Sequence, residues 1–175
     1  PLAGLLSKPS GLQIITIAGT NGKGTTAHLL AEILSQHGLN VVLYTSPHVH
    51  DFKERLQLNG RCYSSTQWVA AFEWVEQQRH RPLTFFEYTT FAAVKMAYDT
   101  IPDVLILEVG LGGLHDVVNC FEPNVSIITS IGLDHQDYLG QTLDAIAMQK
   151  AGIYRPHRPA IYASQMMPER LLHHC

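Results

Sequence analysis

Five short runs of apolar, mostly β-branched residues alternate along the chain with segments whose apolar residues recur at helical spacing. The runs occupy residues 14–17, 41–44, 104–107, 125–128 and 160–162. Each run is apolar on both faces, which is typical of buried parallel strands. Strands that alternate with helices predict right-handed βαβ units. We therefore expect an α/β fold with a doubly wound, mostly parallel sheet, helices on both faces, and ligands at the carboxyl ends of the strands.

Apolar spacing and capping signals predict three helices between these strands. The first two each present one apolar face, formed by Leu29, Leu30, Ile33 and Leu34 and by Trp68, Val69, Phe72 and Val75. The third should begin at Thr84 and run to about Asp99, because Thr84 and Glu87 have the spacing of a capping box. Residues 46–64 show neither pattern and predict an irregular loop, which is long enough to be functional.

Composition narrows the class of protein. With 175 residues, 46% of them hydrophobic, the chain has the size of one globular domain with a substantial core. The net charge of −3 offers no basic face for a nucleic-acid backbone, so we expect no nucleic-acid partner. The three cysteines are widely spaced and predict neither a disulfide framework nor a zinc site. No apolar run is long enough to span a membrane, so we expect a cytoplasmic protein without a membrane partner.

A glycine-rich loop follows the first predicted strand and precedes the first predicted helix. Its residues are Gly19, Thr20, Asn21, Gly22, Lys23, Gly24 and Thr25. Strand, loop, lysine and helix in this order favour phosphate binding by backbone amides at a helix N-terminus, whereas the alternative is a tight turn with a solvated lysine. The usual P-loop pattern needs a glycine where this chain has Ile17 and a hydroxyl where it has Gly24. A magnesium ion must then find its hydroxyl elsewhere, with Thr25 and Ser46 as candidates.

Further polar residues lie at the carboxyl ends of the other predicted strands. Ser46 follows the second strand, Glu108 ends the third, and Asp134 and His135 follow the fourth. A buried carboxylate is costly unless it is paired or bound to a cation, so Glu108 is a candidate magnesium ligand or the partner of a lysine. His135 can be a ligand or a hydrogen-bonded structural residue, since magnesium prefers oxygen.

A glycine cluster at residues 110–113 follows Glu108 and lets the backbone approach a ligand closely, although such clusters are more often simple turns. Asp116 and Asn119, just beyond it, are candidates to face a substrate. The remaining histidines show no ligand spacing, and most are expected at the surface; they include His48, His50, His115, His173 and His174.

Six motifs, in order along the chain, resemble those of the folylpolyglutamate synthase/dihydrofolate synthase family. They are residues 19–25, Thr45-Ser46-Pro47-His48, Asp51-Phe52-Lys53-Glu54-Arg55, residues 108–113, Gly132-Leu133-Asp134-His135 and Lys150-Ala151-Gly152-Ile153. The similarity spans residues 11–163. The phosphate loop alone would also fit the Mur peptidoglycan ligases, which are similar in fold and chemistry, but the second and third motifs favour the folate family.

The resemblance implies the fold of the Mur ligase central domain, a relative of P-loop NTPases, and an ATP-driven ligation. In that reaction the carboxylate of dihydropteroate or folate attacks the γ-phosphate of ATP. The amino group of L-glutamate then displaces the resulting acyl phosphate. ATP and one or two Mg²⁺ ions are the implied cofactors.

The resemblance also implies catalytic roles for five residues. Lys23 would hold the β- and γ-phosphates, while Ser46, Glu108 and His135 resemble the magnesium ligands of the family. Lys150 resembles a family lysine that is often carbamylated by carbon dioxide and then binds a second magnesium ion. From the sequence pattern alone, Lys150 would be a surface lysine. A carbamate needs a neutral amine, so the site would have to depress the pKa of this lysine.

On the substrate side, Phe86 and Asp116 resemble family positions that contact the pterin, by stacking and by accepting its N–H groups. Core packing is the alternative for Phe86. Two positions depart from the family pattern: Leu114 stands where an arginine is expected, and Gln149 where glutamate is common. An apolar side chain cannot replace a guanidinium, so Leu114 brings substrate affinity into question.

Members of the family carry a C-terminal domain that closes over the nucleotide and binds glutamate. This chain opens on Pro1 and stops at Cys175, soon after a predicted helix over residues 167–174 begins. We therefore expect residues 1–175 to be a partial N-terminal ATP-binding domain of a monomeric parent, without ligase activity of its own. The competing hypotheses are a Mur-type ligase acting on a UDP-sugar peptide, a small-molecule kinase, and a degenerate nucleotide-binding module.

Overall fold

The computed structural model describes residues 2–165 and 167–174, and within them seven strands and six α-helices. The strands are β1 (Gln13–Ala18), β2 (Val41–Tyr44), β3 (Leu56–Leu58), β4 (Arg61–Cys62), β5 (Val104–Glu108), β6 (Val125–Ile128) and β7 (Ala160–Tyr162). The helices are α1 (Lys23–Gln36), α2 (Ser65–Gln78), α3 (Phe85–Thr100), α4 (Gln136–Leu139), α5 (Leu143–Ala151) and α6 (Glu169–His174).

All seven strands form one sheet in the order β4-β3-β2-β5-β1-β6-β7. The five strands from β2 to β7 in this order are parallel, while β3 and β4 add an antiparallel hairpin at one edge. From β1 the chain first forms β2 and the β3–β4 hairpin on one side and returns to β5, which lies between β2 and β1. It then crosses to form β6 and β7 on the other side of β1. The doubly wound, mostly parallel sheet predicted from the sequence is confirmed.

Helices cover both faces of this sheet, as predicted. On one face, α1 packs through Ala27 against Ile17, Val41, Leu43 and Ile106. On the other face lies the larger core, to which α2, α3 and α5 contribute Trp68, Phe91 and Ala147. Burial of this apolar surface is the main force that holds the layers together.

The apolar faces predicted for the first two helices are partly correct: Leu30, Leu34, Trp68, Phe72 and Val75 pack against the core, whereas three predicted residues do not. Leu29, Ile33 and Val69 are exposed. On α1 the stripe that faces the sheet consists instead of Ala27, Leu30, Ala31 and Leu34, which follow the spacing i, i+3, i+4 and i+7 of one helix face. The prediction chose the largest apolar side chains, but the small alanines allow the helix to approach the sheet.

The irregular loop predicted for residues 46–64 is wrong in its second half, which contains a 3₁₀ turn at Phe52–Arg55 and the β3–β4 hairpin. Asn59 and Gly60 connect the hairpin, both with positive φ (48° and 75°). Asn-Gly is a strong two-residue hairpin signal and could have revealed this element from the sequence. Strand β7 also differs from its prediction, because Ala160 and Ile161 lie exposed at the edge of the sheet.

The third helix begins and ends close to its predicted bounds. The Thr84 hydroxyl accepts the Glu87 N–H at 3.2 Å, and the Glu87 carboxylate accepts the Thr84 N–H at 2.7 Å. This reciprocal cap fixes the first turn of α3, and with it the position of Phe86.

In the part of the chain that the structure describes, no helix is long and apolar enough to cross a membrane. Cys62 and Cys120 are free thiols, whereas Cys175 lies outside the described residues.

Candidate functional site

The two halves of the sheet meet at β1, which lies between β5 and β6. Connections leave the carboxyl ends of these strands in opposite directions, and such a switch point opens a crevice for ligands. The glycine-rich loop of residues 19–25 follows β1, Glu108 ends β5, and the segment that leads to Asp134 and His135 follows β6. The fold therefore brings three predicted site segments to one edge of the sheet.

The glycine-rich loop is held by the segment that follows β6. The Thr20 hydroxyl donates to the Gly132 carbonyl at 3.2 Å and accepts the Gly132 N–H at 3.0 Å. The Asn21 N–H donates to the Ser130 hydroxyl at 3.1 Å, and the Thr129 hydroxyl donates to the Asn21 carbonyl at 2.7 Å. We call these bonds the loop clamp. Sequence reasoning missed Thr129 and Ser130, although two hydroxyl residues directly after a strand were a visible signal.

The loop clamp also explains the first glycine of the loop. Gly19 has φ of 151°, and a Cβ added there would lie 1.9 Å from the Thr129 hydroxyl oxygen. Because Thr20 and Asn21 give their N–H groups to residue 130, a direct phosphate role for these two amides stays a prediction. The amides of residues 23–25 form the first turn of α1 and have no intrahelical acceptor, so they are available to an anion.

Lys23 is the first residue of α1 and its ammonium lies over the loop, donating to the Gly19 carbonyl at 3.1 Å. Burial raises the pKa of Glu108 and Asp116 and lowers that of Lys150. The charge of Lys23 lowers all three pKa values as a smaller effect. Lys23 is thus close enough for its charge to influence all three groups.

Glu108 is 4% exposed and its carboxylate points at the glycine-rich loop. The Ser46 N–H donates to Oε2 at 3.1 Å, and a Cβ built on Gly24 would lie 3.6 Å from the same oxygen. Burial raises the pKa of Glu108, while the Ser46 N–H and the Lys23 charge oppose that rise. Among the described residues no lysine or arginine forms an ion pair with it, so the alternative of a lysine-paired carboxylate is wrong.

Lys150, near the C-terminus of α5, is buried with 3% of its surface exposed. The surface position that its pattern suggested is wrong, because Lys150 lies on the buried face of α5 together with Ile146, Ala147 and Ala151. The pKa of Lys150 is lowered to about 8, mainly by burial and also by the Lys23 charge, while the Asp134 charge opposes this shift. A substantial fraction of this amine is therefore neutral near pH 8.

His135 precedes α4 with a left-handed backbone, and its Nε2 lies 3.6 Å from Asp134 Oδ2. A narrow cavity is lined by Lys23, Asp134, His135 and Lys150 together with Gly19 and residues 109–112. The structure thus brings together four ionisable groups of the predicted site. The metal-ligand role of His135 stays a prediction.

The donor set fits magnesium. No three histidine, cysteine, aspartate or glutamate side chains cluster for metal binding in the described part of the chain. Magnesium commonly takes one or two carboxylates and completes its shell with phosphate oxygens and water. Glu108, buried and without a cation, and the adjacent hydroxyl of Ser46 are the oxygen donors that suit such an ion.

A second, larger cavity of about 1090 Å³ lies on the other side of the glycine cluster. The three predicted substrate residues line it, as do both positions that depart from the family pattern: Phe86, Asp116, Asn119, Leu114 and Gln149. The Phe86 ring packs directly on Gly110, where an added Cβ would lie 2.7 Å from Cζ. We call this cavity the aromatic cleft.

Asp116 and Asn119 also organise the wall of the aromatic cleft. Asp116 accepts the N–H groups of Leu111 and Val118, both at 2.9 Å, and burial raises the pKa of its carboxyl. The Asn119 amide donates to two carbonyls, at Leu114 and Gly152, and accepts from Arg155 at 2.9 Å. These bonds are structural, so substrate contact by Asn119 stays a prediction. Sequence reasoning missed Arg155.

His48 is half-buried, whereas His50 and His115 are exposed, as expected for most of these histidines. The His48 Nδ1 accepts the Nε–H of Arg55 at 2.9 Å. Arg55 itself is 6% exposed, which no sequence pattern indicated.

We predict that Glu108→Gln stabilises the chain at neutral pH in the absence of divalent cations. The folded-state pKa of Glu108 lies above its ordinary 4.5, so ionisation costs more in the folded chain than in the unfolded one. The cost is absent below about pH 4.5 and complete above the folded-state pKa. Urea unfolding across this range should show that the free energy of unfolding of the variant increases relative to that of wild type as pH rises.

Glu54→Gln is the matched control with the opposite sign. The backbone N–H groups of Val49, Asp51 and His50 lower the pKa of Glu54. This variant should be less stable than wild type at pH 7, and the difference should fade on acidification through that lowered pKa. A Glu108→Gln variant that loses stability at pH 7 would show that the carboxylate is well stabilised without a cation.

Comparison with known proteins agrees with this geometry. The Mur ligase middle domain family matches residues 17–166. The chain is 41% identical over 159 residues to dihydrofolate synthase/folylpolyglutamate synthase of Haemophilus influenzae, covering 91% of this chain and 36% of that relative. It is 42% identical over 159 residues to the Escherichia coli protein of the same name, covering 90% of this chain and 38% of that relative.

Solved structures give the same result. E. coli FolC in complex with DHPP and ADP has a TM-score of 0.93 at 39% identity, covering 99% of this chain and 42% of that chain. The Yersinia pestis bifunctional synthase with Mn, AMPPNP and L-glutamate bound has a TM-score of 0.88 at 40% identity, covering 93% and 40%. The chain spans about two fifths of the length of these relatives. Because the family model matches residues 17–166 and the glycine-rich loop lies at the predicted edge of the sheet, the chain belongs to the Mur ligase middle domain family.

Proposed function

We propose that this chain binds ATP and a folate-type acid, and activates the acid's carboxylate for amide formation with L-glutamate. The observation that carries the proposal is the shared wall between the two cavities. Leu111 lines both the narrow cavity at the phosphate loop and the aromatic cleft. A molecule with an aromatic ring in the cleft can therefore present a carboxylate near the terminal phosphate of a nucleotide.

On the nucleotide side, first-turn amides of α1 and the Lys23 ammonium are suited to bind phosphate oxygens. Glu108 and the hydroxyl of Ser46 would hold magnesium, which would supply positive charge against the phosphates when bound. His135 is proposed as a further ligand. The relatives crystallised with ADP, or with AMPPNP and Mn, support this assignment.

On the acid side, we assign ring packing to Phe86 and hydrogen bonding of ring N–H groups to Asp116. The complex of E. coli FolC with DHPP supports this placement. Leu114 is exposed in the aromatic cleft, where the family pattern has an arginine. Binding here therefore depends on Phe86 and Asp116 rather than on a charge at position 114.

The proposed reaction is an acyl transfer that passes through an acyl phosphate intermediate. A carboxylate oxygen of the acid attacks the γ-phosphorus, and the bond from that phosphorus to the β–γ bridging oxygen breaks to release ADP. The glutamate nitrogen then attacks the acyl carbon, phosphate leaves, and the amine proton passes to solvent or a base. Lys23 neutralises charge on the transferred group in the first step. Glutamate-binding groups in a further domain, a monomeric parent and a cytoplasmic location stay predictions.

The test of this function is ADP release by the full-length parent. We expect release to need both dihydropteroate or a folate and L-glutamate. A UDP-sugar peptide as the required acceptor would instead establish the Mur-type alternative. Release of ADP with a phosphorylated acceptor and no amino acid would establish a kinase, and no release with any acceptor would favour a degenerate module.

Lys23→Ala should weaken ATP binding by about tenfold or more, since a charge-assisted contact to phosphate contributes roughly 1.5–3 kcal/mol. The fold should survive, because Lys23 is only half-buried at the start of α1. Isothermal titration with ATP and magnesium measures the affinity, and circular dichroism checks the fold. Lys53→Ala, which removes a lysine paired with Asp51 at the surface, is the matched control. Equal ATP affinity in the two variants would contradict the assignment.

We also propose that Lys150 reacts with carbon dioxide to form a carbamate, in which the amine nitrogen bonds to the carbon and loses a proton. The lowered pKa of about 8 leaves neutral amine available near that pH. Mass spectrometry of protein kept in bicarbonate should show the added mass on Lys150 and none on Lys53. Modification of neither lysine, or of both equally, would remove the special role of Lys150.

A further inference from the structure

The short helix α4 borders both cavities of the site. Its N-cap residue, His135, lines the narrow cavity at the phosphate loop, whereas Tyr138 and Leu139 line the aromatic cleft. The N–H groups of Tyr138 and Leu139 both donate to the His135 carbonyl, at 2.9 and 3.0 Å. One helical turn therefore fixes Tyr138 relative to His135, and a ligand that extends from the cleft to the phosphate loop passes close to this turn.

The glycine cluster holds α4 next to Phe86. Leu139 is 7% exposed and packs on Gly112, where an added Cβ would lie 2.8 Å from Cδ2. Phe86 packs on Gly110 of the same cluster. Leu111, which lines both cavities, stands between these two contacts. Phe86 and α4 therefore follow one another along the wall of the aromatic cleft.

The side chain of Tyr138 is available to a ligand. It is 78% exposed, and within the described part of the chain its ring contacts no other aromatic ring and its hydroxyl forms no hydrogen bond. Single exposed aromatic residues are common on protein surfaces, but Tyr138 belongs to the wall of a cavity of about 1090 Å³. A cavity of this size accommodates an acid with two ring systems.

The other aromatic residues of the cleft are already in use. Among the described residues, three phenylalanine or tyrosine side chains line it: Phe86, Phe91 and Tyr138. Phe91 is buried in the core, where its ring packs against Phe121. Phe86 is assigned to the fused ring system of the acid. Tyr138 therefore remains for a second ring.

We propose that Tyr138 binds the benzene ring that carries the carboxylate of a folate-type acid. Such an acid has a fused ring system at one end and this single ring next to its carboxylate. With the fused rings at Phe86 and Asp116, contact with Tyr138 directs the carboxylate toward the narrow cavity. A tyrosine side chain has only two rotatable bonds, so its ordering on a ligand costs little entropy. This inference rests on the proposed function and adds to it a residue that binds the reacting end of the acid.

Isothermal titration of the chain with pteroate tests the contact. Tyr138→Ala should weaken pteroate binding about three- to tenfold, as expected for the loss of one aromatic pair. Tyr138→Phe keeps the ring and should bind pteroate within about twofold of wild type. Val69→Ala removes an exposed apolar side chain of α2 that lines neither cavity, and it is the matched control.

Titration with ATP and magnesium separates ligand contact from a structural role of Tyr138. Tyr138 does not line the narrow cavity, so Tyr138→Ala should keep ATP affinity within about twofold of wild type. A loss of ATP affinity equal to the loss of pteroate affinity would show that the substitution displaces α4 and His135, and would contradict the proposal.

Nuclear magnetic resonance identifies the ring that Tyr138 contacts. With isotope-labelled tyrosine and bound pteroate, nuclear Overhauser effects should connect a tyrosine ring to the benzene protons of the ligand, and they should vanish in Tyr138→Phe. Effects to the fused ring alone, or none at all, overturn the inference, as does a Tyr138→Phe variant that binds pteroate as weakly as Tyr138→Ala. Unchanged pteroate affinity in Tyr138→Ala overturns this inference alone. Failure of the wild-type chain to bind pteroate overturns the proposed function, and this inference with it.

Discussion

The loop clamp between the phosphate loop and residues 129–132 is the interaction on which the site depends. The chain must turn sharply after β1, at a point where the neighbouring strands β5 and β6 also end. Thr20 and Asn21 satisfy their polar groups with the segment after β6 instead of with one another. This leaves α1 to begin at Lys23 with its first-turn amides directed into the crevice. Gly19 is required because Thr129 occupies the space of a Cβ.

Four charged groups at this edge are buried or half-buried and incompletely neutralised by the chain. Among the described residues, Glu108 forms no ion pair with a lysine or arginine, and Lys23, Arg55 and Lys150 form none with a carboxylate. A stable core does not leave charges in this condition. These unpaired charges support the proposal that ligands supply the opposite charges, with a divalent cation for Glu108 and anionic groups for the cations. These unpaired charges lower the stability of the folded chain but leave groups available to bind ligands, as is usual at functional sites.

The sequence predicted the sheet, the cap of α3 and the placement of Glu108 well, because each depends on a local pattern. Apolar runs mark buried strands, and a capping box marks a helix start, whatever lies around them. The sequence failed where a choice depends on packing at a distance. The inward stripe of α1 uses Ala27 and Ala31, which no measure of hydrophobic size would select. Lys150 was misjudged because a lysine is normally exposed, although Ile146 and Ala147, one turn earlier, lie on the same buried helix face.

The glycine cluster is where the two cavities communicate. Phe86 packs against Gly110 on the cleft side, and Asp116 holds the Leu111 N–H, so the backbone there is fixed by two groups assigned to the acid. The same backbone forms part of the narrow cavity that contains Lys23 and Lys150. A ring bound by Phe86 and Asp116 would therefore tighten a wall that also faces the nucleotide. Because Leu111 lines both cavities, we expect a ligand in the aromatic cleft to affect nucleotide binding at the phosphate loop through this shared backbone.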